Sequence, residues 1–190
     1  MGDAFRSLLC LLDEWDRSLS MRIALGNGTH SWRYWLARTC AHLGDSWLWG
    51  LVTIWLLRDA VRKQAEDGSV RQRRFYGWSV SLAVQIILTL TFKQLVRRKR
   101  PRIDSFLYGR GPDEHSFPSG HAMRMAVIAV WSTQLWPGWG WLLWPLTVLI
   151  GWSRVRLGIH YVGDVVAGWL LGAAIAGLVQ LWQRRRGRGE

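Results

Sequence analysis

Cysteine is almost missing from this chain: Cys10 and Cys40 stand alone among 190 residues. Two isolated thiols without metal-ligand spacing exclude a disulfide scaffold and read as packing residues. Acidic residues are scarce as well, 13 against 25 Lys and Arg, so the formal net charge is +12. Lysine is rare within that basic set, with only Lys63, Lys93 and Lys99. Charge of either sign is absent from 75–92, from 165–182, and from 125–153 across the break at Pro137-Gly138. Apolar runs of about 18 residues are long enough to cross hydrocarbon as helices. These gaps exclude a disordered chain and disfavour a soluble globular domain. An integral membrane protein is the class that remains. Basic residues flank the apolar runs, which fits membrane anchoring rather than a nucleic-acid partner. Residues 7–12 are apolar, but Asp13, Glu14 and Asp16 follow at once, so no cleavable signal peptide is expected.

What is present falls into three regions. Residues 1–44 are an amphipathic N-terminal region. Within it Leu8, Leu9, Leu11, Leu12, Trp15 and Leu19 recur at helical spacing, as in a helix lying at the membrane interface. Asn27-Gly28 marks a turn, and a second short helix is expected over 31–43, ended by Gly44-Asp45. Residues 45–183 hold the expected spans, near 45–61, 75–96, 119–136, 139–156 and 162–183, with a charged loop over 62–74. Residues 184–190 are a basic cytoplasmic tail. The expected fold is all-α: a polytopic transmembrane helical bundle of five spans, six if the N-terminal region supplies another. The fifteen Trp cluster near span ends, as an aromatic belt would. Gly168, Gly172 and Gly177 give the last span small faces for close packing.

Topology carries a conflict. Loop 58–74 and the tail are both basic and share one side, cytoplasmic by the positive-inside rule. Yet 93–110 falls on the opposite side and holds Lys93, Arg97, Arg98, Lys99, Arg100, Arg102 and Arg110. A cationic cluster on the translocated side calls for an anionic ligand. Three patches reach that face: Lys93 with Arg100-Pro101, Pro118-Ser119-Gly120-His121, and Ser153-Arg154 with His160 and Asp164.

Each patch has a chemical reading. Arg100 and Arg154 can grip phosphate oxygens bidentately, and Lys93 adds a point charge. Pro118 suits a first helical turn that aims the backbone N–H groups of Ser119, Gly120 and His121 at an anion. Gly120 lets the backbone approach closely. His160 and Asp164, four apart, share a face on a helical turn, so the carboxylate can orient the imidazole for attack. His121 offers a second imidazole as acid for the leaving oxygen. Arg124, three beyond His121, is a candidate contact to a second phosphate, or a helix-pairing arginine. His115 is a weaker candidate for substrate contact. His30 and His42 read as interfacial or packing residues.

Lys93-x6-Arg100-Pro101, Pro118-Ser119-Gly120-His121 and Ser153-Arg154-x5-His160-x3-Asp164 resemble, in full and in order, the three motifs of the type 2 phosphatidic acid phosphatase family. The resemblance spans about 45–183. It implies a helical bundle with its site at the extracytoplasmic end of the inner (plasma) membrane. It implies His160 as nucleophile, Asp164 as its orienting partner and His121 as general acid. Lys93, Arg100, Ser119, Gly120 and Arg154 would hold the phosphate. It also implies a phosphohistidine intermediate with no metal and no cofactor. The partners expected are the lipid bilayer and a lipid phosphate or isoprenoid diphosphate. Undecaprenyl diphosphate leads, because members with Arg at the position of Arg124 act on isoprenoid diphosphates. Phosphatidylglycerophosphate or phosphatidic acid follows. Lipid A phosphatase activity, phosphate transfer to another acceptor, and a non-catalytic lipid-binding or scaffold protein complete the alternatives. The sequence departs from many members at its N-terminus, where a further span is replaced by the amphipathic stretch.

Overall fold

The computed structural model describes residues 2–25, 31–62, 64–101 and 114–186. The Asn27-Gly28 turn, His30, Arg102, Arg110 and the last four tail residues lie outside them. Seven α-helices follow in order: α1 (Gly2–Ile23), α2 (Trp32–His42), α3 (Ser46–Arg62), α4 (Gln64–Val96), α5 (Gly120–Leu135), α6 (Leu143–Arg156) and α7 (Val162–Arg186). A 3-10 turn, Gly140–Leu142, precedes α6. Among the described residues there is no strand. Among the described residues two helices are long and apolar enough to cross a membrane, over Gln72–Val96 and Val162–Arg186.

Apolar α5 forms the axis of the bundle, with α4, α6 and α7 packed around it. Met123, Met125, Val127, Ile128 and Trp131 of α5 are all fully buried. Met125, Val127, Ile128 and Trp131 meet Phe75 and Trp78 of α4, Leu56 of α3 and Ile150 of α6. Each indole N–H in this core finds a hydroxyl: Trp131 donates to Ser81 at 2.9 Å and Trp78 to Thr53 at 2.9 Å. The outer faces stay apolar, with Ile54, Trp55, Ile87, Val148, Leu170 and Leu178 exposed.

The charged loop expected over 62–74 is helical instead. α4 begins at Gln64 and runs unbroken into its apolar part. Gln, Glu and Arg are good helix formers, and one Gly68 costs only about 1 kcal/mol, so charge at this helix end does not break it. α6 likewise starts at Leu143, after the 3-10 turn, rather than at 139.

α1 is inverted relative to an ordinary surface helix. Its polar residues face the bundle: Asp16 accepts from the Gly163 N–H at 2.8 Å, and Ser20 from the Val162 N–H at 2.9 Å. Its apolar residues Leu8, Leu11, Leu12 and Trp15 point outward. The return strap after α1 is held by Arg156, which donates to Ile23 and accepts from the Leu25 N–H. All these contacts sit at the end of the bundle where α7 begins.

Candidate active site

Four chain segments converge at that end. The first is the start of α5. Ser119 is its N-cap, with the side chain accepting from the Ala122 N–H at 3.5 Å. Pro118 therefore precedes the cap, not the first turn as the sequence suggested. The Ser119 N–H is turned to Asp164, donating to its backbone oxygen at 3.0 Å. Serine wins the cap because its oxygen can satisfy a first-turn donor and proline has no such group. Gly120 and His121 remain at the helix N-terminus, where the dipole is positive.

The second segment is the α6–α7 link. Arg154 lies in the last turn of α6 and is buried. Gly158 takes φ 68, a left-handed conformation that glycine adopts without strain. That turn ends α6 and folds the chain back, so the N–H groups of Ile159 and His160 bond to the Arg154 carbonyl at 3.1 and 3.3 Å. His160 is thereby set beside Arg154, six positions earlier.

Asp164 lies just inside α7 and is fully buried. Its Oδ2 is 3.7 Å from His160 Nδ1, an ion-pair distance but longer than a hydrogen bond. The same oxygen accepts from the Tyr161 N–H at 2.9 Å, and Oδ1 accepts from Arg98 at 2.7 Å. The helical face expected for the pair is only half realised, because His160 sits in the link before α7 begins.

Arg98 is a residue that the sequence showed only as part of a basic cluster. Its guanidinium reaches Asp164 of α7 and, on α1, Asp13 at 2.6 Å and Asp16 at 2.9 Å. It also lies over the Tyr161 ring, 4.1 Å from the centroid. Burial disfavours its charge, but Asp164 and Asp16 more than offset this, so the group stays cationic. Asp13 shows the converse: burial raises its carboxyl, and hydrogen bonds from Arg17 and Arg98 bring it below its ordinary value.

The third segment is the turn between α2 and α3. Asp45 Oδ1 is 2.9 Å from His121 Nε2, and Asp45 Oδ2 is 2.8 Å from His42 Nδ1. Burial pushes the Asp45 carboxyl up, but the bonds to His121 and His42 outweigh it and hold it well below the usual carboxylate range. Arg124 grips the same turn, donating to the Gly44 carbonyl and, at 2.7 Å, to the Ser46 hydroxyl. In the fourth segment, Lys93 donates to the His115 carbonyl, and Arg100 donates to Glu114 at 3.2 Å and Ile159 at 3.4 Å. Both cations are buried; Lys93 ties His115 to α4, and Arg100 ties Glu114 to the α6–α7 link.

Of the sequence-predicted residues, Gly120, His121, Arg124, Arg154 and His160 line one cleft of about 660 Å³. Asp164, Lys93, Arg100 and Ser119 are buried around it rather than along its walls. Asp45, Ser46 and Trp47 also line it, as do Gln85, Ile86, Thr89 and Leu90 of α4. Ile86, Leu90 and Trp47 are also exposed on the outside of the bundle, so the cleft has an apolar mouth between α3 and α4. Two imidazoles, two guanidiniums and a helix N-terminus at one end of an apolar slot suit a phosphate carried on a hydrophobic tail.

The chain matches the sequence pattern of the PAP2 superfamily over residues 76–188. An undecaprenyl-diphosphatase of Sulfolobus acidocaldarius is 36% identical over 101 residues, 51% of this chain and 49% of that protein. The match thus spans about half of that relative's length. A decaprenylphosphoryl-5-phosphoribose phosphatase of Mycobacterium tuberculosis is 30% identical over 151 residues, 75% of this chain and 76% of that protein. The fold is similar to the crystal structure of a transmembrane PAP2-type phosphatidylglycerolphosphate phosphatase from Bacillus subtilis, with TM-score 0.74 at 22% identity. That similarity covers 92% of this chain and 87% of the other.

Proposed function

This chain belongs to the PAP2 superfamily, and on that premise we propose that it hydrolyses a lipid phosphate or diphosphate without a metal, through a phosphohistidine on His160. The observation that carries the reading is the cleft itself: His160, His121, Arg154 and Gly120 on its walls, with an apolar mouth at Ile86, Leu90 and Trp47. A scaffold or lipid-binding protein needs the cations but neither imidazole.

In the proposed reaction, an imidazole nitrogen of His160 attacks phosphorus in line, and the bond from phosphorus to the lipid oxygen breaks. His121 gives its proton to that oxygen, and the lipid product leaves. Arg154 and the Gly120 end of α5 hold the equatorial oxygens where charge concentrates. Lys93 and Arg100 act from behind, as cations that add to the field and fix the walls. Water then attacks the phosphohistidine, His121 takes the proton, and inorganic phosphate is released. Asp164 holds the link that carries His160 and, with Arg98, keeps the local charge balanced.

We take α3 to α7 as five spans, with the N-terminal region and the site on the same, extracytoplasmic side and the basic tail in the cytoplasm. Docking of α1 at the site end supports this, and its outward apolar face suits the interface plane. In a background lacking Cys10 and Cys40, cysteine at Glu114 should react with an impermeant thiol reagent from outside, and cysteine at Arg185 should not.

Undecaprenyl diphosphate is the leading substrate, supported by the kind of lipid named for the archaeal relative. One observation favours a second reading, a monophosphate lipid such as phosphatidylglycerophosphate or phosphatidic acid: Arg124 already binds Gly44 and Ser46, so it is not dedicated to a second phosphate. Phosphate release by purified protein in detergent with EDTA, on undecaprenyl diphosphate against phosphatidylglycerophosphate, tests both. No release from any lipid phosphate would overturn the enzymatic reading.

A further inference from the structure

We infer that Asp45 is a positioning residue for His121, a carboxylate that fixes its tautomer and opposes the surrounding guanidiniums inside a cationic cleft. The inference rests on the proposed role of His121 as acid. It goes beyond the three motifs, since Asp45 lies 76 residues from His121 and in none of them.

Four features make the contact a built one. The turn is pinned from α5 by Arg124, through the Gly44 carbonyl and the Ser46 hydroxyl. It is pinned from within by the Gly44 and Asp45 N–H groups, which bond to Ala41 and His42 at 3.1 Å each, and by the Trp49 indole, which donates to Leu43 at 2.7 Å. Gly44 itself is held tight: a Cβ there would lie 2.8 Å from Ile150 and 2.9 Å from the His121 ring. The backbone thus passes directly against the imidazole, and the next residue supplies the carboxylate. His42 occupies the second oxygen at 2.8 Å, which leaves Oδ1 one orientation toward His121.

The chemical need is legible from the neighbours. The charged and titratable groups facing His121 are Asp45 from the α2–α3 turn, Arg124 from its own helix, Arg154 from α6 and His160 from the α6–α7 link. The α4 wall offers only the neutral Gln85 and Thr89. Burial and two guanidiniums oppose a positive imidazole, and a phosphate substrate offsets the guanidiniums only while it is bound. A fixed carboxylate on Nε2 favours the imidazolium and, once the proton is given up, holds the Nε2–H tautomer. Nδ1 is then the nitrogen that gives a proton to the leaving oxygen and takes one from water, so each turnover returns His121 to its starting state.

Asp45→Asn keeps the shape and removes the charge. On a monophosphate lipid its kcat at neutral pH is expected to fall about 10²-fold, within the range for acid–base assistance, while KM changes little. The high-pH limb of the kcat profile, which reports loss of the His121 proton, should move to lower pH. Asp45→Glu should bring that limb back toward wild type. A residue that only holds the turn would lower thermal stability and leave the limb in place, and that result overturns the inference. A second readout does not need activity: nitrogen NMR of protein labelled at its five histidines. It should show an Nε2-protonated neutral ring that disappears in His121→Gln and changes tautomer population in Asp45→Asn. An unchanged His121 ring in Asp45→Asn also overturns the inference, even if phosphate release is intact. A wild-type protein that shows the tautomer but releases no phosphate would overturn the enzymatic reading and leave the Asp45 contact standing.

Discussion

Replacing Gly172 by alanine tests how closely the site depends on helix packing. Gly172 lies on the face of α7 that presses against α5. A Cβ built there would sit 2.2 Å from the Met123 carbonyl oxygen and 2.9 Å from the Ala126 Cβ. The obstacle is helical backbone, which cannot rotate aside as a side chain can. Ordinary contact needs about 3.4 Å, so α5 and α7 must separate locally by roughly 1 Å. Overpacking of this kind costs about 1–3 kcal/mol, which for a domain of this size lowers Tm by roughly 2–12 °C. The helices carry opposite halves of the site, since α5 begins with Gly120 and His121 while α7 begins two residues after His160. The two are tied by the Ser119 N–H bond to Asp164 at 3.0 Å. A shift of that size at reacting groups costs on the order of 10² in rate. Phosphate release and tryptophan-monitored melting, both in detergent, read the two effects. Gly177→Ala is the control, because a Cβ there meets nothing within 4 Å and helix propensity alone should act. Wild-type Tm and kcat in Gly172→Ala would refute the packing argument.

Other outcomes follow from named contacts. Asp164→Asn should leave measurable phosphate release, because it perturbs the link and not the nucleophile. Arg154→Ala should cost on the order of 10²–10³ in kcat for every substrate, as loss of a donor to the developing charge does. Arg124→Ala should slow monophosphate and diphosphate lipids alike, since its contacts hold the turn at Gly44 and Ser46; a loss about ten- to a hundredfold larger on the diphosphate would restore it as a second-phosphate contact. Arg98→Ala should free α1, seen as faster proteolysis near Leu25, and should lower kcat through Asp164. Asp45 is held below its unfolded value, so its stabilisation is full above about pH 5 and is lost as acid is added; acid melting curves of wild type and Asp45→Asn should converge at low pH.

Much of this architecture was legible in the sequence, for physical reasons that also explain the rest. Uncharged runs mark α5 and the apolar part of α4 and α7, because hydropathy reports directly on what a helix can bury. The same measure fails at 64–74, where charge in a helix looks like charge in a loop. The motif residues His121, Arg154 and His160 stand out because their chemistry is unusual on an apolar background, and they line one cleft. Asp45 and Arg98 were passed over because their meaning lies in partners 76 and 66 positions away. A single sequence carries spacing along the chain but not across it. Gly44-Asp45 was read only as a helix break, and Arg98 only as one of a basic cluster. The inverted docking of α1 was hidden for the same reason: periodicity identifies two faces without saying which one meets protein.

The central claim is that His160 carries the phosphoryl group. The most direct test is rapid acid-free quenching of purified protein with lipid labelled in the scissile phosphate, in EDTA, followed by chemical profiling of the labelled chain. The account predicts transient label that is stable to alkali, labile to acid, located at His160 and absent from His160→Ala. Label on a serine, or wild-type phosphate release by His160→Ala, would contradict it.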